Sequence, residues 1–194
     1  MSHASATAND TRAGFTGAER VVHVVQGEYR VSDDPSVVLS TVLGSCVAAC
    51  VNDPLAKVGG MNHFLLPGDA NAAGESLSYG VHAMELLIND ILRRGGRRDR
   101  LEARLFGGAR IVRGLSDIGA QNAEFAEQFL AKEGIRCVGV SLGGISARRI
   151  QFWPVAGRAR QMLLASTDET LIANETKAKK APPPPADSGD LDLF

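Results

Sequence analysis

Residues 46–66 read CVAACVNDPLAKVGGMNHFLL, in which two mainly apolar runs flank the tetrapeptide Asp-Pro-Leu-Ala. Strand-forming runs joined by a short segment with Asp first and Pro second are typical of a β-hairpin with a type I turn. We therefore predict strands at residues 46–52 and 58–66, with the turn at residues 53–56.

The register of this hairpin decides which side chains meet. If the turn is centred on residues 54–55, Cys46 lies opposite His63 on the neighbouring strand. Directly opposed side chains lie on one face of a sheet, with Cβ atoms about 4.5–5.5 Å apart. The pattern therefore predicts a thiol and an imidazole that share a proton, unless Gly59 and Gly60 form a bulge that shifts the register.

A cysteine beside a histidine is the pattern of a thiol nucleophile and its base. An imidazolium next to Cys46 would stabilise the thiolate. The preceding Gly44-Ser45 pair predicts a corner that exposes the thiol and leaves backbone N–H groups for the oxyanion of an acyl intermediate. A hydroxyl at Ser40 or Thr41 would accept the other ring N–H and fix the tautomer.

The three cysteines also allow less specific interpretations. A free cysteine is often a small buried apolar residue, and we favour this interpretation for Cys50 and Cys137. Cys46, Cys50 and His63 would make three zinc ligands, but two cysteines on one strand suit tetrahedral coordination poorly and no fourth ligand is apparent. The cysteine and histidine spacing therefore predicts no metal site.

Outside the hairpin, we predict two helices and several further strands. Residues 79–94 carry apolar side chains at the helical period, and residues 122–132 form a second helical segment. Many antiparallel-looking strands with two helices favour a layered α+β domain. The further strands are predicted at residues 21–25, 27–31, 37–43, 101–106, 135–141, 149–152 and 160–164.

Composition indicates one folded domain between flexible ends. Hydrophobic residues make up 44% of the 194 residues and charged residues 22%, which is ordinary for a globular protein. Polar residues 1–19 predict a disordered tail, and residues 171–194, with four consecutive prolines, predict a flexible tail with an acidic-apolar end. The folded domain is expected at residues 20–170.

Charge and cysteine usage exclude several classes of partner. A net charge of −1 attracts neither nucleic acid nor anionic lipid. Unpaired cysteines without a secretory signal favour a reducing, cytoplasmic location. Residues 35–52 carry no charge, but a Gly-Ser break between two Val-rich runs favours two buried strands over a membrane-inserted helix.

Two charged segments leave a docking role open. The arginine-rich stretch at residues 93–100 suits a solvated helix end, or a surface that binds an acidic partner, but without aromatic residues it does not suit nucleic acid. The tail at residues 187–194 ends in Asp-Leu-Asp-Leu-Phe, which is typical either of a disordered end or of a tethered docking peptide.

Short motifs along residues 22–165 form one ordered set. They are TVLGSCVA at 41–48, DP at 53–54, GGMNHFLLP at 59–67, YG at 79–80, AMELLIN at 83–89, LEA at 101–103, FGGA at 106–109, IG at 118–119, NA at 122–123, LGG at 142–144, RR at 148–149, FWP at 152–154 and GR at 157–158. In this order they resemble the chemoreceptor glutamine deamidases of the CheD family.

The resemblance implies a three-layer α/β/β domain and assigns roles to particular residues. Cys46 would be the nucleophile and His63 the base. The family places a hydroxyl residue, often threonine, six positions before the cysteine, where this chain has Ser40 with Thr41 beside it. The implied enzyme is an amide hydrolase that converts receptor glutamines to glutamates by thiol chemistry, releases ammonia and needs no cofactor.

The implied partners are the methyl-accepting chemoreceptors, and further a CheC-type phosphatase that acts on the phosphorylated response regulator. That phosphatase supports the main alternative, a regulatory binding module with little catalysis. A general cysteine protease or esterase is a third interpretation, which would need an extended peptide cleft.

Overall fold

The computed structural model describes residues 18–66, 73–110 and 118–164. Within these ranges, every strand end lies within four residues of its prediction, whereas the first helix begins six residues earlier than predicted. In chain order the elements are β1 (Arg20–His23), β2 (Tyr29–Ser32), β3 (Val37–Leu43), β4 (Val47–Asp53), β5 (Val58–Asn62), α1 (Ala73–Arg93), a 3₁₀ turn (Arg98–Arg100), β6 (Glu102–Gly107), α2 (Ile118–Lys132), β7 (Arg136–Leu142), β8 (Arg148–Trp153) and β9 (Arg158–Leu163).

The strands form two sheets. One has the order β2-β5-β4-β6-β7 and the other the order β1-β3-β8-β9. The pairs β1–β3 and β6–β7 are parallel, and the remaining neighbours are antiparallel. The strands are therefore less uniformly antiparallel than their sequence pattern indicated.

Three layers result from the way each face is covered. Odd-numbered residues of β4, such as Val47 and Val51, pack with α1 and α2 in one apolar cluster. Even-numbered residues, such as Ala48 and Cys50, pack with β3 and β8 of the other sheet in a second cluster. Because both faces of β4 are covered, all seven of its residues are buried. The α+β fold with α/β/β layers is confirmed.

The turn between β4 and β5 lies one residue later in the chain than predicted. Residues 54–57 form the connection, and Lys57 adopts a left-handed conformation with φ of 58°. Asp53 organises it, since its Oδ1 accepts hydrogen bonds of 2.9 Å from the N–H groups of Leu55 and Ala56. Asp53 consequently pairs with Val58, so the prediction that the turn is centred on residues 54–55 is wrong.

The changed register moves Cys46 relative to His63. Val47 pairs with Phe64 in an isolated bridge, and β4 and β5 pair without a bulge at Gly59 and Gly60. Continued to Cys46, this register places it diagonally across from His63 rather than directly opposite. A shift of two positions keeps both side chains on one face, with diagonal Cα atoms about 7–8 Å apart.

Predictions for the uncharged segment, the two tails and Cys137 can be compared with the structure. The uncharged segment at residues 35–52 forms β3 and most of β4, as predicted. No helix among the described residues is long and apolar enough to cross a membrane. Residues 1–17 and 165–194 lie outside the described part of the chain, so both predicted tails and the domain boundary at residue 170 stay predictions. Cys137 was expected in the core but is exposed, because it lies on the edge strand β7.

The arginine-rich stretch forms ion pairs within the domain. Arg98 contacts Glu133 at 2.5 Å and Arg100 contacts the buried Asp53 at 2.7 Å. Such pairing favours the interpretation as a solvated helix end over that of an open basic docking surface. The remaining pairs are Arg93–Asp90, Arg94–Asp90, Arg94–Asp33, Arg97–Asp99 and Arg98–Glu85.

Candidate active site

A corner between β3 and β4 positions the Cys46 thiol. The Ala109 N–H donates to the Gly44 carbonyl and the Gly108 N–H to the Cys46 carbonyl, both at 2.8 Å. Peptide bonds here are trans, so the Ser45 N–H points to the side opposite the Gly44 carbonyl. The corner therefore directs the Gly44 and Cys46 carbonyls toward residues 108–109 and the Ser45 N–H away from Ala109.

Glycine is required on the strand that supports this corner. Gly107 has φ of 113°, and a Cβ atom there would lie 2.1 Å from the carbonyl oxygen of Cys46. Neither that conformation nor that separation is available to another residue. Gly107 of the FGGA motif therefore allows β6 to approach the backbone of the nucleophile candidate.

Asn122 of α2 joins the corner to the segment that follows His63. Its Nδ2 donates to the carbonyls of Ser45 at 3.3 Å and Ile118 at 2.7 Å, and its Oδ1 accepts from the Leu66 N–H at 2.7 Å. The side chain is fully buried. No role was predicted for Asn122, although an asparagine among the apolar positions of a helix is a signal of a buried polar contact.

His63 is oriented through its Nδ1 atom. The Oγ1 atom of Thr41 lies 2.9 Å from Nδ1, and the Val24 carbonyl lies 3.4 Å from it. A carbonyl only accepts, so these contacts favour the tautomer with the proton on Nδ1. Among the described residues, Nε2 has no hydrogen-bond partner and is buried. Its lone pair is therefore the available basic site of the ring.

The hydroxyl that contacts the imidazole belongs to Thr41, whereas Ser40 bonds elsewhere. The Ser40 hydroxyl donates to the Ile150 carbonyl at 3.1 Å. Alternate residues of a strand face opposite sides, and Thr41 shares its side with Leu39 and Leu43, which pack between the two sheets. The arrangement brings together Thr41 and His63 and leaves Ser40 on the other face.

Burial keeps the His63 ring neutral. The residue is 7% exposed, and burial lowers its pKa from 6.5 to about 4, with the Val24 carbonyl acting weakly in the opposite direction. At pH 7 the imidazole is therefore a neutral base. This differs from the predicted imidazolium beside a thiolate, because desolvation penalises the charged ring.

Cys46 is not exposed as the corner had suggested. The residue is 2% exposed, so that expectation is wrong. Its Sγ donates a hydrogen bond of 3.4 Å to Oε1 of Gln26, in the connection between β1 and β2. Gln26 was not predicted, because nothing in its local sequence indicates which side chain it meets.

Cys50 is a buried core residue, as predicted. Cys50 lies on the same face as Cys46, is fully buried, and burial raises its pKa far above the ordinary value. A thiol that stays protonated is inert as a nucleophile. In the described ranges, no three His, Cys, Asp or Glu residues are grouped so that they would hold a metal ion.

Comparison with known families gives a consistent result. The family model described as "CheD chemotactic sensory transduction" matches residues 65–162. A protein of Acidiphilium cryptum named "Probable chemoreceptor glutamine deamidase CheD" is 60% identical, over 90% of this chain and 94% of the relative. Proteins with the same name from Caulobacter vibrioides and Agrobacterium fabrum are 57% and 54% identical, over 89% and 91% of this chain and 92% and 98% of their own lengths.

Solved structures show a weaker likeness. The Bacillus licheniformis hypothetical protein YfiH aligns with a TM-score of 0.41 and 16% identity, over 64% of this chain and 60% of that chain. The Neisseria meningitidis protein NMB0706, of family-model DUF152, aligns with a TM-score of 0.39 and 14% identity, over 65% and 63%.

Proposed function

This chain belongs to the CheD family of chemoreceptor glutamine deamidases, and from that membership we propose that it hydrolyses glutamine side chains of methyl-accepting chemoreceptors to glutamates. Ammonia is the second product. The observation that supports the chemistry is the Thr41 contact to Nδ1 of His63, which leaves Nε2 as a buried base, without a partner in the described part of the chain, on the face that carries Cys46.

The first step is attack of Cys46 on the carboxamide. Nε2 of His63 takes the thiol proton while Sγ bonds to the carboxamide carbon, so the thiolate need not exist beforehand. The carbonyl oxygen becomes an oxyanion. We assign the Ser45 N–H as one donor to it, since the corner directs that N–H away from Ala109.

The second step releases ammonia and the third restores the thiol. Protonated His63 gives its proton to the amide nitrogen, the carbon–nitrogen bond breaks, and a thioester to Cys46 remains. His63 then takes a proton from water as the water oxygen bonds to the thioester carbon; the carbon–sulfur bond breaks, and His63 returns that proton to Sγ, which leaves the glutamate side chain and the Cys46 thiol. Each proton that His63 accepts is returned in the following step, so no cofactor is required.

Thr41 acts by holding the ring rather than by touching the substrate. Its Oγ1 accepts the Nδ1 proton at 2.9 Å, which keeps Nε2 as the basic atom through the cycle. Ser40, which bonds to a neighbouring strand, is proposed to support β3 and not the ring.

The reaction is tested by mass spectrometry of a chemoreceptor cytoplasmic fragment incubated with the protein. We expect a gain of about one mass unit at specific glutamines, abolished by Cys46→Ala. Cys50→Ala is the matched control, because this thiol lies on the same strand and face and should be dispensable. Unchanged glutamines with the wild type would contradict the deamidase and favour the binding module, and cleaved peptide bonds would favour a protease.

We further propose that the protein is cytoplasmic and that it has a second partner. Cys46, Cys50 and Cys137 are all free of disulfides, as is usual in the reducing cytoplasm. A CheC-type phosphatase is the further partner suggested by the family resemblance. Co-elution of the two purified proteins, with and without the phosphorylated response regulator, checks that interaction.

A further inference from the structure

The burial of Cys46 conflicts with the size of a protein substrate. The residue is 2% exposed, whereas the proposed reaction requires the sulfur to reach a carboxamide on another protein. Some group must therefore leave the sulfur before the substrate enters. One described side chain that holds a hydrogen bond to Sγ is that of Gln26, with its Oε1 at 3.4 Å.

Gln26 lies on a segment whose backbone is hydrogen-bonded to the backbone of His63. The Gly27 N–H donates to the His63 carbonyl at 2.7 Å, and the His63 N–H donates to the Glu28 carbonyl at 3.0 Å. On the other side, the Val24 carbonyl approaches Nδ1 at 3.4 Å. These contacts fix the backbone, so the Gln26 side chain can rotate away from Sγ without displacing the histidine.

The chemical identity of Gln26 is the informative point. Its side chain carries the same carboxamide as the glutamine that the proposed reaction hydrolyses. A carboxamide at the sulfur of the nucleophile therefore marks where a substrate carboxamide would bind. We propose that Gln26 occupies the carboxamide subsite of Cys46 in the resting protein and swings out when a substrate glutamine enters; this rests on the proposed function.

The hydrogen bond also explains why the Gln26 side chain is not itself hydrolysed by Cys46. Its oxygen faces the thiol and accepts the thiol proton, whereas attack requires that oxygen to face the oxyanion donors. A proton held between sulfur and oxygen is not transferred to His63. A thiol is a weak donor, so a substrate glutamine supported by contacts elsewhere on its protein displaces Gln26 easily.

The test measures access to Cys46 without relying on deamidation. In a Cys137→Ser background, which removes the exposed thiol, the rate of Cys46 alkylation by iodoacetamide is followed by peptide mass spectrometry. Gln26→Ala should raise that rate about two- to tenfold, the range expected for loss of one hydrogen bond. Gln128→Ala, at an exposed glutamine of α2, is the matched control and should leave the rate unchanged.

A second measurement distinguishes a carboxamide subsite from a simple cover. Propionamide, a small carboxamide, should slow alkylation of Gln26→Ala and leave the wild type unaffected, because only the variant has an empty subsite. An unchanged alkylation rate in Gln26→Ala, or no protection by propionamide, would overturn the proposal. Failure of the wild type to deamidate receptors would instead overturn the proposed function and leave these two results standing.

Discussion

The two ends of the β4–β5 hairpin each bury a titratable side chain, but they differ in how completely that side chain is hydrogen-bonded. At the turn, Asp53 is fully buried and bonded to Leu55, Ala56, Arg97 and Arg100. At the open end, His63 is 7% exposed and only its Nδ1 atom is bonded, while Nε2 has no partner among the described residues.

The pKa values follow from this difference. Burial alone would raise the pKa of Asp53, but its hydrogen bonds outweigh burial and hold it below the usual range. For His63 burial is not compensated, and its pKa falls to about 4. Most buried polar atoms in proteins are paired, so an Nε2 atom that finds no partner among the described residues fits a group kept for chemistry.

Removing the imidazole should give the largest effect on activity. His63→Asn is expected to lower kcat for ammonia release about 10²–10⁴-fold, because it removes the base for each proton transfer. Thermal unfolding should show a folded protein. His82→Asn, at an exposed histidine on α1, is the control; equal losses in both variants would contradict the assignment.

Neutralising Asp53 should affect stability and not chemistry. Asp53→Asn leaves Arg100 without its carboxylate and is expected to lower the free energy of unfolding by about 3 kcal/mol in urea titrations. Asp99→Asn, which breaks an exposed pair with Arg97, should cost less than about 1 kcal/mol. A loss of kcat per folded molecule in Asp53→Asn would show that the two ends are not separate.

The pH dependence of stability should come from the His63 end. Its folded pKa is depressed to about 4, so between that value and 6.5 the unfolded chain binds the extra proton, and stability falls as pH falls. Between pH 7.5 and 5 the wild type should lose about 2 kcal/mol relative to His63→Asn. If the free energy of unfolding changed by the same amount between the two pH values in both proteins, the depressed pKa of His63 would be contradicted.

Substitutions of the two hydroxyl residues on β3, Ser40 and Thr41, should have the smallest effect on kcat. Thr41→Val removes one hydrogen bond to the ring and is expected to lower kcat up to about tenfold, with KM unchanged, while Thr41→Ser restores most of it. Ser40→Ala should change kcat less than about twofold, because that hydroxyl bonds to Ile150. The reverse order would return the orienting role to Ser40.

The layered fold and the shared face of Cys46 and His63 could be predicted from the sequence. Strand patterns depend on local side chains, and the register error of two positions preserved the face of each residue. The error arose at Lys57, whose left-handed conformation is stabilised by contacts to Asp53 rather than by a glycine. The parallel pairs β1–β3 and β6–β7 join distant segments, which hydrophobic patterns do not specify.

The finer parts of the site depend on tertiary contacts. Thr41 could have been chosen over Ser40, since it alternates in phase with Leu39 and Leu43, which pack between the sheets. The roles of Gln26 and Asn122 could not be predicted from the sequence, because the groups they bond to lie on other elements. The burial of Cys46 likewise depends on surroundings that a corner sequence does not contain.

The most direct test is the protonation of the His63 ring, measured by ¹⁵N NMR across pH. If the account is correct, the ring is neutral at pH 7 with the proton on Nδ1 and a bare Nε2, and it titrates near pH 4. A ring that is doubly protonated at pH 7, or one that carries its proton on Nε2, would contradict the claim that Nε2 is held ready to accept the proton of Cys46.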